Sequence, residues 1–183
     1  MVLIRSKTFI FDFMIAKQFP EFITVTGLNW KPVLSAKAHK EIIINSLRFL
    51  VKEGRVRVSC FVLMENHFHM IWQVMGDHKR EDVQRDFLRI TAQQILKNLR
   101  NVNSPLLDEL LVGAKDRKYQ VWERNSLSIE LRNSSVFKQK LEYIHANPVR
   151  AGFCKLPEEF EYSSAGFYEL NQSAWDFLNH YED

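Results

Sequence analysis

Residues 55–74 read RVRVSCFVLMENHFHMIWQV. RVRVSCFVL is rich in β-branched and apolar residues, MEN is a short connection, and HFHMIWQV is a second strand-like run. Two strands joined so closely form an antiparallel hairpin. Side chains on a strand alternate between its faces. Phe68, Met70, Trp72 and Val74 therefore share one side, suited to a helix-covered core. His67, His69, Ile71 and Gln73 share the other, open side. Two imidazoles at i and i+2 on one face are near enough to share a metal ion. The alternative is a pair of ordinary surface or hydrogen-bonded histidines. Two ligands do not make a site, so a third donor has to come from elsewhere in the chain.

Working outward, EFITVTG before the hairpin reads as a strand ended by Gly27. A helix follows from Ser35, which can cap it, to Gly54, which can end it, with Ile43, Leu47, Leu50 and Val51 on one apolar face. After the hairpin, residues 81–100 are helical, with Leu88, Ala92, Ile95 and Leu99 on one face. NVNSPLLDELLVGAKDRKYQ reads as an insertion holding one small helix, and VWERNSLSIEL returns as an irregular strand. SSVFKQKLEYIHAN is a third helix, stopped by Pro148. The aromatic tail from Pro157 onward is expected to pack back on the domain.

This order gives an α+β fold of the ferredoxin-like βαββαβ pattern: a four-stranded antiparallel sheet, two helices on one face and the other face open. The added C-terminal helix carries a tyrosine. Such a fold is silent about chemistry. The 183 residues are expected to form one domain, with its core over about 20–168.

The charge of +3 and the pI near 8.8 are mildly basic, so local clusters have to carry any argument for nucleic acid. Cys60 and Cys154 lie in no metal or redox spacing, which suits a reducing cytosol. Arg5, Lys7, Asp12 and Lys17 interrupt the apolar patches of the first residues. They leave no signal-peptide core and no membrane span. A cytoplasmic protein is expected.

The third helix offers the missing donor. Phe137, Leu141 and Ile144 form its buried stripe, while Tyr143 and Asn147, four apart, share a different face. His145 lies on the far side of the stripe, so Asn147 is the better partner for a site containing Tyr143. Read structurally, Asn147 merely ends the helix before Pro148 and Tyr143 is an amphipathic surface ring.

Together, FVLMENHFHMIWQ and LEYIHANPVRAGF resemble the single-tyrosine HUH transposases, and within them the REP-associated tyrosine transposase-like proteins. DFLRITAQQI, YQVWERNSLSIEL and PEEFEYSSA support the resemblance, which runs from about Phe22 to Tyr168. Glu65 departs from the family, which usually has proline before Asn-His, and RNSLS is variable there and carries no role. The resemblance implies that His67, His69 and Asn147 hold a metal and that Tyr143 is the nucleophile. It further implies a bacterial protein, nucleoid-associated when bound to DNA, whose partner is single-stranded DNA at hairpin or repeat sequences.

The implied reaction is cleavage and rejoining of a DNA strand through a 5′-phosphotyrosine. Two imidazoles and an amide oxygen leave a divalent ion's charge uncompensated, which favours phosphate as its next ligand. Mixed N/O donors with open positions fit Mg²⁺ or Mn²⁺. A free phenol ionises near pH 10, so attack at neutral pH needs help from the cation or a base. Lys140 and Arg150 beside the tyrosine motif, and Arg85, Arg89 and Lys97 on the second helix, are candidate phosphate contacts. Trp30, Tyr119 and Trp122 are candidate base-stacking rings or core residues. Two alternatives stand beside this reading: a non-catalytic DNA-binding relative, and a metal-dependent hydrolase that activates water. Both monomers and homodimers occur in the family, and the aromatic tail favours a self-contained monomer.

Overall fold

The computed structural model describes residues 18–171 and 174–181. The expectation that the N-terminus holds no membrane span falls mostly on residues 1–17, outside that range. Among the described residues no helix is long and apolar enough to cross a membrane.

The main sheet is built from β1 (Glu21–Thr26), β2 (Val56–Leu63), β3 (His67–Val74) and a strand near residue 130, with α1 (Lys37–Lys52) and α2 (Arg80–Asn101) between them. The insertion holds the expected short helix, α3 (Leu106–Glu109), and an unforeseen ribbon, β4 (Leu111–Ala114) with β5 (Arg117–Tyr119). β6 (Leu127–Glu130) completes the main sheet, followed by α4 (Ser134–Arg150) and the short α5 (Ala165–Glu169). The sheet order is β2-β3-β1-β6, with antiparallel pairing throughout.

β1, β2 and β3 each serve two cores. On β3, Phe68, Met70, Trp72 and Val74 join Ile23 and Val25 of β1 against the apolar faces of α1 and α2. The buried stripe of α2 is Val83, Phe87, Thr91, Ile95 and Leu99, with Leu88 and Ala92 on its flank. Alternation sends Phe22 and Ile71 to the opposite face, where they meet Phe137 and Ile144 of α4. In β2 the pairing steps from Val58↔Trp72 to Cys60↔Ile71, leaving Ser59 as an extra residue. That bulge exchanges the faces. Val58 faces α1 and α2, whereas Cys60 and Val62 face α4.

The second face is therefore not open along its length, as the sequence suggests. α4 covers it over Ile71 and Cys60 and leaves uncovered the end where His67 lies. The reason is the amphipathic stripe of α4 itself, which has to bury Phe137 and Ile144 somewhere.

Pro148 does not stop α4, which continues to Arg150. Proline removes only its own N–H, and here only the last turn follows it. Gly152 is the stop. It sits at φ 77°, its N–H bonds to the Val149 carbonyl at 3.0 Å, and the Phe153 N–H bonds to the Pro148 carbonyl at 2.9 Å. These paired bonds form a Schellman C-cap. Asn147 is thus a full helical residue. Ser35 supplies no side-chain cap to α1, whose N-cap position falls on Ala36.

In the tail, Tyr162 and Phe177 are buried in the main core, and Trp175 meets Phe61 edge-on at 5.4 Å. Leu178 and Ser163 bridge the free side of β2. That pairing removes one exposed sheet edge.

Candidate active site

Four elements converge on one cleft of about 520 Å³ lined by Phe22, Thr24, His67, His69, Tyr143 and Asn147, with Trp30, Leu127 and Lys140 completing its walls. The β1–β3 register sets Thr24 opposite His69 and Thr26 opposite His67. The two imidazoles lie on one face with ring centroids 4.8 Å apart. α4 then brings Tyr143 edge-on to His69 at 5.3 Å and edge-on to Phe22 at 5.9 Å. One turn later Asn147 lines the same cleft and interacts with His67. His67, His69, Tyr143 and Asn147 thus meet at one place, although the chain separates the pairs by more than 70 positions.

Each histidine has its inner nitrogen engaged. His67 Nδ1 is 2.7 Å from Asn66 Oδ1, and His69 Nδ1 is 2.8 Å from Thr24 Oγ1. With the proton on Nδ1, the amide and hydroxyl oxygens accept it, and each Nε2 keeps a lone pair for an external Lewis acid. Burial lowers the pKa of both rings. His67 is pushed below its ordinary value, and His69 falls to about 3 through burial, then through repulsion from His67 and Lys140. Both imidazoles are neutral at pH 7, the form that binds metal.

Among the described residues no group of three His, Cys, Asp or Glu could hold a metal ion. Any ion bound here would take its third protein ligand from a neutral amide. The donors fit that role: two lone pairs fixed by Thr24 and Asn66, and the Asn147 amide next to His67.

Tyr143 is 36% exposed, and two cations flank its ring. Lys140 Nζ is 5.6 Å and Arg150 Cζ 5.4 Å from its centroid, while Lys140 also sits 4.7 Å over Phe22. A ring held in this way is positioned by cation–π and edge contacts and stays partly exposed.

The remaining candidates lie elsewhere. Arg85, Arg89 and Lys97 are exposed on α2, across the sheet from Tyr143. Arg85 pairs with Asp82 at 2.6 Å and Arg89 with Asp86 at 3.4 Å. Trp122 belongs to the core: it is 6% exposed, edge-on to Phe68, and its indole N–H donates to Thr91 Oγ1 at 3.2 Å. Tyr119 lines a separate groove beside α2 and lies beneath Arg100. Trp30 is the candidate ring placed at the cleft, edge-on to His67 at 5.7 Å. Sequence reasoning missed Thr24, Asn66, Phe22 and Leu127. Asn66 stands inside the histidine motif, but the others reach the cleft only through strand register.

No known protein-family signature and no curated protein matches the chain. Among solved structures, a REP-associated tyrosine transposase bound to a REP hairpin superposes with a TM-score of 0.62 at 18% identity, covering 91% of this chain and 86% of that one. The two share a fold. A transposase candidate from Deinococcus radiodurans R1 aligns at a TM-score of 0.46 and 10% identity, covering 68% of this chain and 87% of that one, too distant to bear on the site. The resemblance to REP-associated tyrosine transposases carried by the two motifs thus has a counterpart in three dimensions.

Proposed function

We propose that this chain is a metal-dependent, HUH-type single-stranded DNA endonuclease and strand transferase, transposase-like, with Tyr143 as nucleophile and His67, His69 and Asn147 as metal ligands. One observation carries the reading: two neutral, oriented imidazoles, a helical amide and a half-exposed tyrosine share a single cleft. The sheet order, outer strands β2 and β6 around β3 and β1, supports a ferredoxin-like βαββαβ reading of the fold. The likeness to a transposase bound to a REP hairpin supports a hairpin or repeat as the DNA target.

A divalent ion, Mg²⁺ or Mn²⁺, would supply Lewis-acid polarisation of the scissile phosphate. This chain's residues do the rest. Thr24 and Asn66 orient the imidazoles. Lys140 and Arg150 draw the anionic strand over the Tyr143 ring. The Tyr143 oxygen then forms a bond to phosphorus as the bond from phosphorus to O3′ breaks. The phenol proton passes to solvent, and the departing O3′ takes one up. The product is a 5′-phosphotyrosine and a free 3′-OH, and attack by a 3′-OH reverses the step. Bond type is conserved, so no nucleotide triphosphate is needed. Arg85, Arg89 and Lys97 would meet DNA only away from the scissile phosphate.

The test is a denaturing gel for a covalent protein–DNA adduct, using labelled hairpins with single-stranded flanks, Mg²⁺ or Mn²⁺ against EDTA, and Tyr143→Phe in parallel. A metal-dependent shifted band missing from the Tyr143→Phe lane is expected. Cleavage that survives Tyr143→Phe without an adduct would transfer the site to water activation. Binding without cleavage in any lane would make the chain a DNA-binding relative.

A further inference from the structure

Trp30 stands out on the cleft. It is 62% exposed, far more than its chemistry favours, and it sits in the left-handed region at φ 59° beside Asn29 at φ 51°. Two consecutive non-glycine residues in that region are uncommon, and the bulky tryptophan is the more strained of the two. The turn is held all the same. Asn29 N–H donates to Glu123 Oε1 at 2.7 Å, Leu28 N–H to the Val121 carbonyl at 2.8 Å, and Gly27 N–H to the Asn66 carbonyl at 2.7 Å. A Cβ at Gly27 would lie 2.7 Å from the Lys31 carbonyl oxygen, so only glycine lets the turn close this tightly. The result is a large ring held upright against His67 with most of its surface in water.

The strand register orders the groups along the cleft. Trp30 lies beyond the Thr26–His67 end, His69 follows opposite Thr24, and Tyr143 lies beyond it against Phe22. Successive ring centroids from Trp30 through His67 and His69 to Tyr143 are 5.7, 4.8 and 5.3 Å apart. Tyrosine and tryptophan thus sit on opposite sides of the histidine pair. In-line displacement at phosphorus puts the attacking and leaving oxygens on opposite sides. A phosphate placed at the histidines and attacked from the Tyr143 side therefore releases O3′ toward Trp30.

We infer that Trp30 stacks on the base of the nucleotide immediately 5′ of the scissile phosphate, the one that departs with the 3′-OH. This rests on the tyrosine-nuclease reading and adds the direction in which the strand runs through the cleft. Stacking there also retains the released 3′ end near the phosphotyrosine, ready for rejoining. An indole accepts any base, so Trp30 fixes polarity and position rather than sequence.

The test uses an oligonucleotide that the wild-type protein cleaves, with its break mapped from the released fragment. It is remade with an abasic residue immediately 5′ or immediately 3′ of the break. Binding is read by fluorescence anisotropy on the Tyr143→Phe background, with Trp30 intact, Trp30→Ala and Trp30→Phe, each checked for an unchanged melting temperature. Trp30→Ala is expected to weaken binding of the intact strand roughly tenfold, with Trp30→Phe retaining most of the affinity. The Trp30→Ala loss should vanish on the strand abasic on the 5′ side and persist on the strand abasic on the 3′ side. An equal loss on all three strands would mean that the ring serves only the protein, and would overturn the inference. A loss that vanishes only on the 3′-side abasic strand would reverse the polarity and overturn it too. No adduct from the wild-type protein on any hairpin would overturn the nuclease reading, and this inference with it.

Discussion

His69 shows how far a single residue depends on its neighbours. Its Nδ1 is held by a threonine hydroxyl, and its ring is 4% exposed beneath Tyr143. Thr24→Val keeps the shape and removes the hydroxyl, so the imidazole loses both its tautomer preference and its anchor. Losing such a support weakens metal binding by about 10–100-fold. A Mn²⁺ titration of adduct formation should shift its midpoint by that factor; midpoints within twofold would remove Thr24 from the site. A second consequence concerns acid. Burial holds His69 at about 3 and His145, wedged between Cys60 and Ser164, at about 4, both below the ordinary histidine value of 6.5. The unfolded chain takes up these protons first. The stability each ring contributes is therefore complete above pH 6.5 and is lost as pH falls toward the folded value. Urea unfolding in EDTA should give a free energy at pH 5 lower than at pH 7 by about 2 kcal/mol for each ring. A flat profile over that range would contradict the burial of both.

The helix α4 carries the site, and its end is set by Gly152. A Cβ there meets nothing within 4 Å, so Gly152→Ala tests backbone conformation alone. The left-handed conformation costs an alanine about 1–2 kcal/mol, and the melting temperature should fall by about 2–8 °C. No fall would mean that α4 ends by another route. Elements of this kind separate what the sequence reveals from what it hides. The strand alternation in HFHMIWQV and the i, i+4 pairing of Tyr143 with Asn147 are local, and both are legible in the chain. Pro148 misleads because its penalty depends on how much helix follows, and only Gly152, four residues later, settles that. The β4–β5 ribbon is hidden because its residues are mostly exposed and carry no alternating pattern. Thr24 is hidden for a different reason. Its place beside His69 is a register between strands 45 positions apart, which no local spacing encodes.

At the scale of the molecule, the sheet divides the basic residues into two sets. Lys140 and Arg150 stand on the α4 face with their charged groups over Tyr143, and neither forms an ion pair among the described residues. Arg85 and Arg89 stand on the α2 face and are compensated by Asp82 and Asp86. Exposed pairs of that kind contribute little to stability, but they lower the positive field a DNA strand would feel. A strand crossing the cleft should therefore respond to the first set and ignore the second. On a short single-stranded substrate, Lys140→Ala and Arg150→Ala should each weaken binding and lower the slope of log affinity against log salt by about 0.7. The triple variant Arg85→Ala, Arg89→Ala, Lys97→Ala should leave both the slope and the adduct yield unchanged on that substrate. An equal loss of slope in the triple variant would route the strand around the edge of the sheet onto α2. Among the described residues β6 is an unpaired edge on that path, and its Leu127 and Ile129 are exposed. Repeating the titration on a substrate with a long stem separates the two paths, since only duplex reaching past β6 could recruit the α2 arginines.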